Sequence, residues 1–254
     1  MMFLRRLRED EDGFSLTELL TAMVIGGVVL WALMTLMTTG LTKSLEVSDR
    51  ADAAQTGRGA LDRMVTLLDS SICLDPVTTS AAVPPLIGSA AAVTGPPAIP
   101  AQTGSDGSYA AFYADLAGVS DSPDKYTLTY DATAKSLTER RFNSTGTLPN
   151  ITIPSTATET RVLATNVVPA RDSLGVQLPV FRYYKFESDG SINPASPVAT
   201  PVTQALAGQP VRVVITFQVI SGRTNREDRR STTIEGQSAL GTPDPSLPNA
   251  GSCP

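Results

Sequence analysis

At 254 residues and 41% hydrophobic content the chain is long and apolar enough to bury a real core, which excludes a wholly disordered protein. Its net charge of −5 argues against a polyanion such as nucleic acid as a partner. The absence of histidine removes the commonest general base and the commonest metal ligand together, and the two cysteines are too few and too far apart for a zinc site. With no nucleophile beside a base, no metal cluster and no phosphate-binding loop, the sequence reads as a non-enzyme without a cofactor.

The first twelve residues, "MMFLRRLREDED", are charged and end at Gly13. Behind them runs "FSLTELLTAMVIGGVVLWALMTLM", Phe14 to Met37, interrupted only by the carboxylate of Glu18. As a helix rising about 1.5 Å per residue this run is about 36 Å long, enough to cross about 30 Å of hydrocarbon. Arg5, Arg6 and Arg8 precede it and only Lys43 follows closely, which places the N-terminus in the cytoplasm and everything after residue 40 outside. The acidic run Glu9 to Asp12 leaves the leader near neutral, but acids contribute little to orientation. An ordinary secretory signal has a shorter apolar core and a small-x-small site after it, so cleavage behind the run is not expected.

Past the membrane, Leu41, Leu45, Leu61, Met64, Val65, Leu68 and Ile72 recur at helical spacing among charges, which predicts an amphipathic continuation over 41–72. A single helix is expected from Phe14 to about Ser70, weakened locally at Gly57 and Gly59 and bounded by Pro76. Residues 73–108 form a Pro/Ala-rich loop whose only charge beyond its first few residues is Asp106. Alternation of period two then predicts an antiparallel β domain over 109–237. Its strands are expected at 109–116, in a hairpin over 125–142 turning near Asp131 to Lys135, at 160–168, in a hairpin over 179–192 turning at Asp189-Gly190, at 211–220 and at 229–237. A Pro-rich tail, 238–254, closes the chain.

The register of "GFSLTELL", with a basic leader before Gly13, an acid at the fifth position after it and an unbroken apolar run behind, resembles the class III signal of type IV pilins and type II secretion pseudopilins. The order of helix, loop and antiparallel sheet is similar to theirs, so the expected fold class is α+β and pilin-like, with a long N-terminal helix packed on an antiparallel sheet domain. "YTLTYDATAKSLTERR", "LATNVVPARDSLGVQLPVFRYY" and "VRVVITFQV" resemble the larger W-type minor pilins and J-type minor pseudopilins. The resemblance implies that a prepilin peptidase facing the cytoplasm removes residues 1–13 by cutting between Gly13 and Phe14 and methylates the amine of Phe14. It further implies anchoring in the bacterial inner membrane and addition to a pilus, a secretion pseudopilus or a DNA-uptake filament, with other pilin subunits and an assembly platform as partners. The rival reading is a single-pass membrane protein whose outer β domain binds a ligand or surface and never enters a filament.

A carboxylate in an apolar segment costs a few kcal/mol and is rarely left unpaired. Cleavage would create a matching cation, because the amine of Phe14 has a reference pKa near 8. Glu18 lies about 6 Å of helix rise from that amine, within reach in one chain, and the resemblance implies pairing with a neighbouring subunit. The bland alternative is that Glu18 sits at headgroup level and snorkels. Cys73 and Cys253, both outside the membrane and without competitors, are expected to form a disulfide. Closing a loop of about 180 residues would restrict the unfolded chain by roughly 5 kcal/mol.

Other features have plainer readings beside functional ones. Gly26 and Gly27 are either ordinary transmembrane glycines or a soft point where subunits pack. "SGRTNREDRR" (221–230) is a solvated turn rather than a DNA-binding loop, since Glu227 and Asp228 dilute its arginines. Asp121 and Asp124 lack the dense oxygen pattern of a calcium loop. Phe181, Tyr183, Tyr184 and Phe186 suit packing in a strand, and the glycosylation patterns at Asn143 and Asn150 carry little weight.

Overall fold

The computed structural model describes residues 15–72, 86–87, 105–116, 123–146, 151–203, 206–220 and 232–240. The chain divides into two compact units, residues 1–48 and 49–254. Helix α1, Leu16–Asp69, belongs to both. It closes with backbone bonds from Ser70 N–H to the Thr66 carbonyl and from Ser71 N–H to that of Leu68, at 3.1 and 3.0 Å, which satisfy carbonyls left over at a helix end.

In the second unit the helix packs on two antiparallel sheets. The first is a meander of β1 (Tyr109–Ala114), β2 (Asp124–Asp131), β3 (Ser136–Phe142) and β4 (Glu159–Thr165), in that order. The β2–β3 turn falls where expected: the Asp131 carboxylate accepts from the backbone N–H groups of Thr133 and Ala134, and Lys135 takes a φ of 48°. The second sheet is centred on β7 (Arg212–Val219). Strand β8 (Thr232–Ala239) pairs along one whole edge of it, while β5 (Val167–Pro169) and β6 (Phe181–Tyr184) share the other, opposite 217–219 and 212–215.

The single strand expected over 160–168 is two strands in different sheets. Asn166, at φ 56°, turns the chain between them; asparagine tolerates that left-handed conformation better than most residues. The hairpin expected over 179–192 is shorter than its alternation suggests. Strand β6 stops at Tyr184, and one bridge between Phe186 and Ile192 closes a turn in which Gly190 has a φ of 78°. Strand β8 runs two residues into the segment read as tail, and Ser238 there donates its hydroxyl to the Asp69 carboxylate at 2.7 Å.

One core joins the helix to both sheets. Met64, Leu67 and Leu68 of α1 meet Phe112 and Leu128 of the first sheet and Phe181, Val213, Ile215 and Phe217 of the second. The buried helical face starts later than the spacing predicts. Leu41 and Leu45 are 56% and 47% exposed, and burial begins at Gly57 and continues through Ala60, Met64, Leu67 and Leu68. Gly57, read as a weak point, lies against the second sheet: a Cβ there would run into the side chains of Ile234 and Val219. Reciprocally, a Cβ on Gly236 of β8 would stand 2.8 Å from the Leu61 side chain. Each glycine is thus a hollow that admits a neighbouring side chain, and packing outweighs the helix propensity lost.

Polar side chains fix the same packing. Arg63 donates from Nη2 and Nε to the two carboxylate oxygens of buried Glu139 on β3, at 2.7 and 3.1 Å, a forked geometry that suits guanidinium and carboxylate alike. The bond to Glu139 holds the Arg63 guanidinium above its ordinary pKa. Tyr183 of the second sheet donates its hydroxyl to the backbone carbonyls of Asp106 and Tyr109, where the first sheet begins.

Candidate functional site

The candidate site is the N-terminal stretch of α1 within the first unit. Between Leu16 and Val47 every large apolar side chain of this stretch is exposed, Trp31 at 76%. The stretch is long and apolar enough to cross a membrane. Apolar side chains on all sides of a helix require an apolar surrounding, lipid or other helices. The threonines within it meet that requirement locally. Thr21, Thr35, Thr38 and Thr39 donate their hydroxyls to the carbonyls of Thr17, Trp31, Met34 and Thr35, at 2.8 to 3.0 Å. Their polar hydrogens are therefore satisfied without water.

The helix begins at a reciprocal cap. The backbone N–H of Ser15 donates to Glu18 Oε2 at 3.1 Å, and the N–H of Glu18 donates to Ser15 Oγ at 3.3 Å. This is a capping box, which satisfies two of the donors that a helix start leaves over. A carboxylate in the first turn also faces the positive end of the helix dipole. The sequence signal for this cap is Ser-x-x-Glu before an apolar run, at Ser15 to Glu18. It gives Glu18 a structural partner within its own chain while Oε1 stays unpartnered among the described residues.

Gly13 and Phe14, on either side of the expected cut, lie outside the described residues, as do Cys73, Cys253, Asp121, Asn150 and the arginine-rich stretch 221–230. A Cβ added to Gly26 or Gly27 would meet nothing within 4 Å, so among the described residues no packing demands either glycine. Asp124 is engaged elsewhere than in a cation site: Oδ2 takes Arg141 Nη2 at 2.6 Å and Oδ1 takes the Ser144 N–H at 2.8 Å. Among the described residues no three carboxylate or thiol side chains gather as metal ligands.

Residues 10–34 match the family described as the prokaryotic N-terminal methylation motif. The match supports a type IV pilin-like prepilin signal. It begins at Asp10, includes Gly13, Phe14 and Glu18, and ends inside the apolar stretch. No curated protein matches the chain. The prepilin-type signal thus coincides with the exposed apolar helix start, and together they support membrane anchoring by that helix. The α+β arrangement of a long N-terminal helix on antiparallel sheets is the pilin-like architecture expected from the sequence.

Proposed function

We propose that this protein is a structural subunit of a type IV pilus or secretion-type pseudopilus, a minor component of the W- or J-type, cut by a prepilin peptidase between Gly13 and Phe14 and methylated on the new amine. The observation that carries this reading is the methylation motif over residues 10–34, which runs into a helix whose large apolar side chains are exposed among the described residues. The N-terminus stays in the cytoplasm until processing, the domain after the helix lies outside, and the assembly platform draws the helix from the membrane into the filament. Cys73 and Cys253 close a disulfide on the outer side.

Glu18 directs docking in this reading. One of its oxygens is held by the Ser15 N–H, which pins the carboxylate at the helix mouth. The other is available to the Phe14 amine of a neighbour. Both ions lose hydration in the pair, so it sets axial register more than it adds net stability.

Mass spectrometry of the mature chain from its native host tests the processing. The expected N-terminus is Phe14 carrying one methyl group; an intact residue 1 in the membrane-inserted protein overturns it. Glu18→Gln separates charge from cap, since glutamine at this position also closes a capping box. It should leave insertion, cleavage and the outer domain unchanged and lower incorporation into filaments at least about tenfold, equivalent to about 1.4 kcal/mol. Glu18→Asp should be partly tolerated. Wild-type incorporation of Glu18→Gln would show that the charge has no part in docking.

A further inference from the structure

The outer face of the second sheet carries a concave site that neither the signal nor the core accounts for. Register places Arg182 and Tyr184 of β6, Arg212 and Val214 of β7 and Glu235 and Gln237 of β8 on one face. Their odd-numbered neighbours Phe181, Tyr183, Val213 and Ile215 enter the core from the other. Ile192 and Pro194, from the turn after β6, help wall the face into a cavity of about 190 Å³.

The polar groups of this cavity are unbalanced. Arg182 is 20% exposed; its Nη2 donates to Thr216 Oγ1 at 2.8 Å and only distantly, at 3.4 Å, to Glu235 Oε2. Its Nε–H is buried without an acceptor among the described residues, and a buried donor left unpaired carries a free-energy cost. Arg212 has no ion pair or hydrogen bond from its guanidinium, and the Tyr184 hydroxyl no hydrogen bond, among the described residues. Against these two cations the cavity holds one carboxylate, Glu235, which is 59% exposed and also accepts from the Thr216 hydroxyl at 3.0 Å. A local positive excess in a chain of net charge −5 points to an anionic partner.

We propose that this cavity binds a carboxylate borne on an aliphatic stem. Two guanidiniums on adjacent strands offer the planar, forked donors that a carboxylate accepts, and Tyr184 adds a hydroxyl. Ile192, Pro194 and Val214 provide an apolar wall for the stem. A phosphate would gain nothing from that wall, and the lining includes no helix start to supply the backbone donors that such groups favour. Glu235 is the internal competitor: its long contact to Arg182 yields, the exposed side chain turns to solvent, and the incoming carboxylate takes its place. The stem belongs to an acidic side chain of another polypeptide or to a free aliphatic acid. The inference rests on this face alone and holds whether or not the chain enters a filament.

The test is a titration of the full chain in neutral detergent micelles at low salt, read from the arginine Nε–H signals in ¹⁵N spectra. The probes are glutarate, an end-blocked tetraglutamate peptide and inorganic phosphate. Glutarate should shift the Arg182 signal saturably in the millimolar range, with phosphate weaker. Arg212→Ala should weaken the response at least about tenfold while backbone signals away from the cavity stay in place, and Glu235→Gln should strengthen it severalfold, an effect that a purely structural role for these residues would not produce. Tighter binding of the peptide than of glutarate assigns the carboxylate to a polypeptide; equal or weaker binding assigns it to a free acid. No saturable response to either, an unchanged response in Arg212→Ala, or phosphate binding better than glutarate overturns the proposal.

Discussion

From Leu16 to Val47 helix α1 leaves its large apolar side chains exposed on every side, whereas from Gly57 to Leu68 it buries Gly57, Ala60, Met64, Leu67 and Leu68 against two sheets. The backbone is the same; the difference lies in where the apolar residues fall around the helix and in what covers them. The first half satisfies its threonine hydroxyls on its own carbonyls. The second half reaches across to Glu139 and Ser238 through Arg63 and Asp69, and leaves hollows for Ile234 and Val219. The same α-helix thus presents exposed apolar side chains in one half and serves as a jigsaw piece in the other. Substitutions in the second half should move the stability of the sheet domain, and those in the first should not.

The largest effect is expected at Arg63. Arg63→Met would leave the buried Glu139 carboxylate without its cation, and breaking such a pair costs about 3 kcal/mol or more. A urea titration of the full chain in detergent, followed by near-UV signals of the sheet tyrosines, should show the midpoint falling with the slope unchanged; an unmoved midpoint would mean that the ion pair does not couple helix to sheet.

Gly57 and Gly59 sharpen the comparison inside the packed half. Gly57→Leu forces a side chain into the space of Ile234 and Val219 and should destabilise by about 1 to 3 kcal/mol. Gly59→Ala, with nothing within 4 Å of the new Cβ, should stabilise by about 1 kcal/mol through helix propensity alone. The same denaturation assay separates them by sign. If both destabilise, the close approach at Gly57 is not the cause.

A smaller effect follows pH. Burial lowers the pKa of Lys125, on β2, from its ordinary 10.5 to about 8. Between those values the unfolded chain holds a proton that the folded one has released, so this lysine makes stability rise as pH rises through that window. Buried Tyr113 and Tyr183 act in the opposite sense, since burial raises both. Above about pH 10 the unfolded tyrosines ionise while the folded ones resist, and stability falls. Unfolding midpoints should therefore climb from pH 8 and turn down above pH 10. Lys125→Met should flatten the climb and leave the descent.

The smallest effect is expected in the first half. Leu30→Ala, on the exposed apolar stretch, should leave the sheet domain's unfolding midpoint within about 0.5 kcal/mol of wild type, as surface changes away from packed features do. A larger shift would show that this stretch contributes to the packing of the second unit.

The long helix and the antiparallel strands after it could be read from the sequence because each rests on local periodicity: an unbroken apolar run, then alternation. The prepilin-type signal was equally local, a glycine, an aromatic and an acid in fixed register before that run. What periodicity cannot carry is which neighbour a residue meets. Leu41 and Leu45 have the same spacing as Met64 and Leu68, and only the folded second unit decides that the first pair stays exposed while the second is buried. The change of sheet at Asn166 hides within an apparently continuous strand, because a single left-handed residue leaves no trace in alternation. Gly57 reads as a defect until Ile234, far along the chain, arrives to fill its hollow. The cavity of Arg182 and Arg212 exists only once three strands are in register, for strand pairing joins residues that the sequence holds far apart.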